Sequence, residues 1–157
     1  MDYKLIIFDA DGTLCTTKSG ATFRKTADDW QWLPGRLEKL AELRNQGVKI
    51  GIATNQGGVA FGYLDPHEIR QELYKMGRLI HAAAIEMCFS HPNATIDLWR
   101  ENGSRRKPGT DMLLAIIKDS GESKQDTLMV GDRPEDEQAA KNAGVSFMWA
   151  DAFFELK

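Results

Sequence analysis

Short apolar runs alternate with amphipathic stretches along this chain. Residues 4–9 contain Leu5-Ile6-Ile7-Phe8 with no polar position between them, the pattern of a strand buried on both faces. Residues 48–53, 85–89, 127–130 and 145–149 are further mainly apolar runs of strand length. Stretches of helical period lie between these runs. Leu37, Leu40, Ala41 and Leu43 form one stripe, which Pro34 can open and Gly47 can end. Ile69, Leu73, Met76 and Ile80 form a longer one, capped by Asp65 and opened by Pro66. Met112, Leu113, Ile116 and Ile117 form a third, opened by Pro108, and residues 134–142 a short fourth, stopped by Gly144. Residues 10–33 are polar and turn-rich and read as an ordered functional loop. Residues 54–62 and 90–107 also read as loops. The alternation predicts an α/β fold: a central parallel sheet of about five strands with helices on both faces, hence three layers. Residues 1–157 are expected to form a single domain.

Composition narrows the partners. A net charge of −3 gives no overall basic field, so any nucleic-acid contact needs a local patch. Two cysteines, Cys15 and Cys88, make no disulfide framework, and the expected location is cytoplasmic. The chain opens directly into a strand pattern, without a signal-peptide pattern. No apolar run approaches the roughly 20 residues that span a bilayer, so no membrane partner is expected. The expected state is a monomer.

Ligands of parallel α/β sheets bind beyond the carboxyl ends of the strands. Asp9, Asp11, Thr54, Asn55 and Asp132 all fall at or just past predicted strand ends. Asp9 and Asp11 sit two residues apart, so both side chains point the same way on an extended chain. Close, poorly solvated carboxylates need a compensating cation or a chemical task. One can attack phosphorus while the other protonates the leaving oxygen and later activates water. Asp132 can complete a site of hard oxygen ligands for Mg2+. Thr54 and Asn55 offer a hydroxyl and an amide to phosphate oxygens, and Lys107 a fixed cation for the transferring group. Asp136 reads equally well as a further metal ligand or as a supporting partner.

These segments resemble the haloacid dehalogenase superfamily of phosphatases. Asp9-Ala10-Asp11-Gly12-Thr13 matches its nucleophile loop and Thr54-Asn55-Gln56 its phosphate-binding threonine segment. Arg106-Lys107-Pro108 matches its lysine, and Gly131-Asp132 with Asp136 its acidic metal segment. The resemblance implies that Asp9 forms an aspartyl-phosphate and that Asp11 is the general acid and base. It also implies that Mg2+ contacts Asp9, the Asp11 carbonyl and Asp132. The spacings leave no room for a large cap domain, so the implied fold is the uncapped, Rossmann-like branch. That branch contains polynucleotide 3′-phosphatases and the histidinol-phosphate and heptose-bisphosphate phosphatases.

Two segments bear on the substrate. Cys88-Phe89-Ser90-His91-Pro92 resembles the start of a zinc loop, but Gly103-Ser104-Arg105 stands where a second cysteine pair belongs, so no structural zinc is expected. Residues 14–20, with Phe23 and Asp29-Trp30, resemble the segment after the nucleophile in polynucleotide 3′-phosphatases. Lys18, Arg24, Lys25, Arg100, Arg105 and Arg106 are candidates for a phosphate-tracking patch, with Lys18, Asn55 and Arg106 expected to bind substrate. Trp30, Trp32 or Trp99 is the expected stacking face. The leading expectation is a Mg2+-dependent phosphomonoesterase acting on nucleic-acid 3′-phosphate ends. The alternatives are a small-molecule phosphatase of the histidinol-phosphate or D-glycero-D-manno-heptose 1,7-bisphosphate type, and a catalytically silent phosphate-binding module. The chain has no Gly-x-x-x-x-Gly-Lys loop, so kinase activity is not expected of it.

Overall fold

A computed structural model describes residues 2–155. In chain order the strands are β1 (Leu5–Phe8), β2 (Cys15–Thr16), β3 (Gln31–Trp32), β4 (Lys49–Asn55), β5 (Ala84–Cys88), β6 (Thr127–Gly131) and β7 (Ser146–Trp149). The helices are α1 (Arg36–Asn45), α2 (Pro66–Leu79), α3 (Asp111–Ser120), α4 (Pro134–Ala143) and α5 (Ala150–Glu155). Five strands form one parallel sheet in the order β5-β4-β1-β6-β7. β2 and β3 pair antiparallel as a separate ribbon inside the 10–33 loop.

The pleat of β1 explains the layers. Ile6 and Phe8 join a core with Leu40 of α1, Ile69 and Leu73 of α2 and Phe153 of α5. Leu5 and Ile7 point the opposite way and join Met112 and Ile116 of α3 and Ala139 and Ala140 of α4. All four β1 side chains are buried, which is why the strand carries no polar position. No helix of the described residues is long and apolar enough to cross a membrane.

Several expected boundaries move for local reasons. α1 begins two residues after Pro34, because Gly35 takes a left-handed conformation (φ 77°) before the first turn. α3 begins at Asp111 rather than at Pro108, because the chain first turns through Gly109, whose N–H bonds to the Arg106 carbonyl at 2.7 Å. β4 runs on through Asn55, so Thr54 and Asn55 belong to a strand end, not to a loop. The short helix α5 escapes a periodicity reading. Its Phe153 is buried edge-on against Phe8, at 5.6 Å between ring centroids.

Candidate active site

Three adjacent strands build the site. Asp9 follows β1, Asn55 ends β4 on one side, and Asp132 follows β6 on the other. Lys107 arrives from the loop before α3. It is buried and places Nζ 2.9 Å from Asp9 Oδ1, 2.6 Å from Asp136 Oδ1 and 2.8 Å from the Ala53 carbonyl. Those three acceptors match the three donors of an ammonium. Burial disfavours the charged amine, but Asp9 and Asp136 outweigh it and hold the Lys107 pKa above its usual value. The Asp9 pKa is raised too. Burial pushes its pKa well up, Lys107 offsets only part, and Asp136 and Asp132 add repulsion.

Asp136 supports the cluster from the first turn of α4. Its Oδ2 accepts the Asp132 and Arg133 backbone N–H groups at 3.2 and 3.1 Å, and its Oδ1 takes Lys107. Both oxygens are engaged, so Asp136 anchors the lysine and caps the helix. Gly12 lets Asp132 approach: a Cβ there would overlap Asp132 Oδ2, and its φ of 88° is a conformation glycine favours. Thr13 Oγ1 donates to Asp132 Oδ1 at 3.2 Å.

Asp11 is held by a different set of groups. Its Oδ1 accepts Nε and lies 2.9 Å from Nη2 of Arg24, and its Oδ2 accepts Gln56 Nε2 at 2.8 Å. Gln56 also donates to Thr54 Oγ1 at 3.0 Å. Arg24 is buried and uses Nη1 on the Ala27 carbonyl. Arg24 therefore does not belong to a surface phosphate-tracking patch. Its role and that of Gln56 went unread in the sequence. The available signal was spacing: Thr54 and Gln56 share one face of an extended segment.

The same alternation corrects the expectation for Asn55. Its side chain points the opposite way and brackets the Lys107 backbone, accepting its N–H at 3.0 Å and donating to its carbonyl at 3.1 Å. Both polar atoms of the amide are thus engaged with Lys107 rather than offered to phosphate. Arg106 is half-buried, donates to the Ser90 carbonyl at 3.3 Å and lies beside Gly57. Lys18 stands exposed on the loop near Asp28. Arg100 and Arg105 are tied to Asp97 and Glu86. Trp30 is buried and donates to Glu72 at 2.9 Å, Trp32 packs on it edge-on, and Trp99 packs on Phe89. Trp30, buried with its N–H engaged, does not present the stacking face expected of it, whereas Trp32 and Trp99 stay partly exposed.

The carboxylates of Asp9, Asp132 and Asp136 each bring an oxygen within 4.8 Å of the others. Lys107 alone cannot balance three acids, and the donors are hard oxygens, so the residues fit a divalent cation such as Mg2+. Since Asp136 is engaged on both oxygens, Asp9 and Asp132 are the side chains that could hold it.

The chain matches the family Polynucleotide kinase 3 phosphatase over residues 4–154. The chain belongs to this family. It is a phosphatase of the small, uncapped haloacid dehalogenase type, a phosphoric monoester hydrolase. Relatives of this family member include two differently named enzymes. A D-glycero-beta-D-manno-heptose-1,7-bisphosphate 7-phosphatase of Photorhabdus laumondii is 30% identical over 145 residues, covering 89% of this chain and 76% of that one. A bifunctional polynucleotide phosphatase/kinase of Schizosaccharomyces pombe is 32% identical over 168 residues, covering 96% of this chain and 37% of that one. Among solved structures, a D,D-heptose 1,7-bisphosphate phosphatase from B. bronchiseptica, complexed with magnesium and phosphate, superposes with a TM-score of 0.76. It is 32% identical and covers 92% of this chain and 78% of its own.

Proposed function

We propose that this phosphatase removes the phosphate from nucleic-acid 3′ ends. The observation that carries the substrate class is the family match over residues 4–154. The uncapped rim of the sheet is compatible with a strand end.

In the proposed reaction an Asp9 carboxylate oxygen attacks phosphorus, and the bond to the ester oxygen breaks. Asp11 gives that leaving oxygen its proton. The resulting aspartyl-phosphate is attacked by water, which loses a proton to Asp11, and inorganic phosphate leaves with Asp9 restored. Lys107 holds Asp9 in place and offsets charge on the transferring group. The Thr54 hydroxyl accepts from Gln56, and its long 3.5 Å donation to the Asn55 carbonyl gives way to a phosphate oxygen. Asn55 acts through the Lys107 backbone. Arg106 and Lys18 contact other phosphates of the strand. Asp9, Asp132 and the Asp11 carbonyl would hold Mg2+, which when bound neutralises phosphate charge and favours ionised Asp9.

A second reading, a small sugar bisphosphate, is favoured by the 32% identity to the B. bronchiseptica enzyme. Phosphate release with Mg2+ separates the two. The substrates are a 3′-phosphorylated oligonucleotide, histidinol phosphate and heptose bisphosphate, with Asp9→Asn as the blank. A kcat/KM advantage for the oligonucleotide supports the proposal, and an advantage for a small ester replaces it. No turnover above the blank on any ester supports a silent phosphate-binding module.

A further inference from the structure

Phe61 and Tyr63 are apolar side chains that the core does not need. Tyr63 is 76% exposed, and the two rings lie stacked at 6.4 Å with 24° between their planes. Ile96 is also exposed and lies against Gly62, its Cδ1 3.5 Å from where a Cβ there would stand. The backbone beneath them is fixed. Tyr63 N–H bonds to the Gly58 carbonyl at 2.9 Å, Gly62 N–H to Val59 at 3.1 Å, and Ile96 N–H to Ala60 at 3.1 Å. Val59 and Ala60 are buried anchors. A rigid loop that turns the Tyr63 ring toward solvent, backed by half-buried Phe61, has the form of a binding surface rather than a packing remnant.

This surface is continuous with the reaction centre. Phe61 packs edge-on against His91 at 5.0 Å. His91 Cδ2 and Arg106 Nη1 lie 3.8 and 3.2 Å from the Cβ position of Gly57. Arg106 precedes Lys107, whose ammonium holds Asp9. The features therefore run in order from nucleophile to lysine, to guanidinium, to aromatic ledge. The loops that carry them follow β4 and β5, on the Asp9 side of the sheet.

We infer that Phe61, Tyr63 and Ile96 form a stacking ledge for a nucleobase of the substrate strand. Arg106 takes the phosphodiester next to the reactive 3′-phosphate, which places the penultimate base on the ledge. This rests on the 3′-end reading above. Every base offers a π-face to such a ring, and the exposed isoleucine beside it adds apolar contact. The stacking role expected of Trp30 thus passes to residues that the sequence pattern hid in a turn.

The test compares kcat/KM on a 3′-phosphorylated dinucleotide and on the same molecule abasic at the penultimate position. Base stacking is worth about 1–3 kcal/mol, so the wild-type ratio is expected at about 5- to 150-fold. Tyr63→Ala, at an exposed position, should bring the ratio toward one, and Phe61→Leu should lower it. Thermal melts of both variants confirm that they are folded. If the dinucleotide is preferred but the ratio survives in both variants, the ledge is wrong and the substrate class stands. If heptose bisphosphate outcompetes the dinucleotide, the substrate class fails and the ledge with it.

Discussion

Replacing Lys107 by methionine tests the charge balance that organises the site. The side chain is almost wholly buried and neutralises two buried carboxylates, at 2.9 Å to Asp9 and 2.6 Å to Asp136. Methionine preserves much of the volume but leaves both acids uncompensated. Breaking a buried ion pair from one side typically destabilises by about 3–5 kcal/mol. For a domain of this size each kcal/mol shifts Tm by about 2–4 °C, so a fall of about 6–20 °C is expected. The double variant Lys107→Met/Asp136→Asn removes one of the stranded charges and should recover part of the loss. Mg2+ should raise the Tm of the single variant more than that of the wild type, because a cation then relieves a larger repulsion. Melts followed by circular dichroism, with and without Mg2+, measure all three effects. A single variant within about 2 °C of wild type, with no recovery on adding Asp136→Asn, would refute the reasoning.

The remaining predictions concern the residues around this cluster. Arg24→Ala should lower kcat/KM by about 10²-fold on alkyl phosphates, whose leaving oxygen needs a well-aimed acid, and far less on dinitrophenyl phosphate. Equal losses on both esters would point to a merely structural arginine. Gly12→Ala should weaken Mg2+ binding, seen as a higher half-saturating concentration for activity, because the new Cβ displaces Asp132; an unchanged Mg2+ titration would remove Asp132 from the metal site. Asp29 accepts the Lys25 backbone, the Ser19 hydroxyl and the Ser19 backbone, and its pKa is lowered to about 2. A lowered folded-state pKa stabilises above the unfolded value of 3.8 and the gain is lost as pH falls toward about 2. Pepsin cleavage at exposed Phe23 should therefore rise as pH falls from 3.8 to 2 in the wild type. In Asp29→Asn cleavage should already be fast at the upper end of that window, and matching profiles would contradict the assignment.

Much of the fold was legible because β1 is buried on both faces, and a strand so placed must be apolar at every position. The convergence of Asp9, Thr54 and Asp132 was legible too, since parallel strands carry their functional residues to one edge. Side-chain direction at that edge was harder to read. Thr54 and Asn55 are neighbours in sequence, yet the pleat sends one toward Gln56 and the other to the Lys107 backbone. Arg24 looked like surface charge because its acidic partner lies thirteen residues away across a loop whose path no periodicity encodes. Trp30 looked like a platform for the same reason: Glu72, which takes its N–H, belongs to α2.

Asp136 shows why stability and chemistry are difficult to separate in this site. One oxygen caps α4 through the Asp132 and Arg133 N–H groups, and the other holds Lys107 against Asp9. Losing that carboxylate would loosen the helix start, shift the turn carrying Asp132 and free the lysine that holds Asp9. The cap and the lysine each take part of the charge of the three acids, and a divalent cation would offset the remainder. The loops of the proposed ledge carry no such constraint. Residues 57–64 and 89–100 hang from the same strand ends, and their side chains can change without disturbing the charge balance beneath. Relatives with this sheet can therefore share one phosphoryl chemistry and differ in what they present to it.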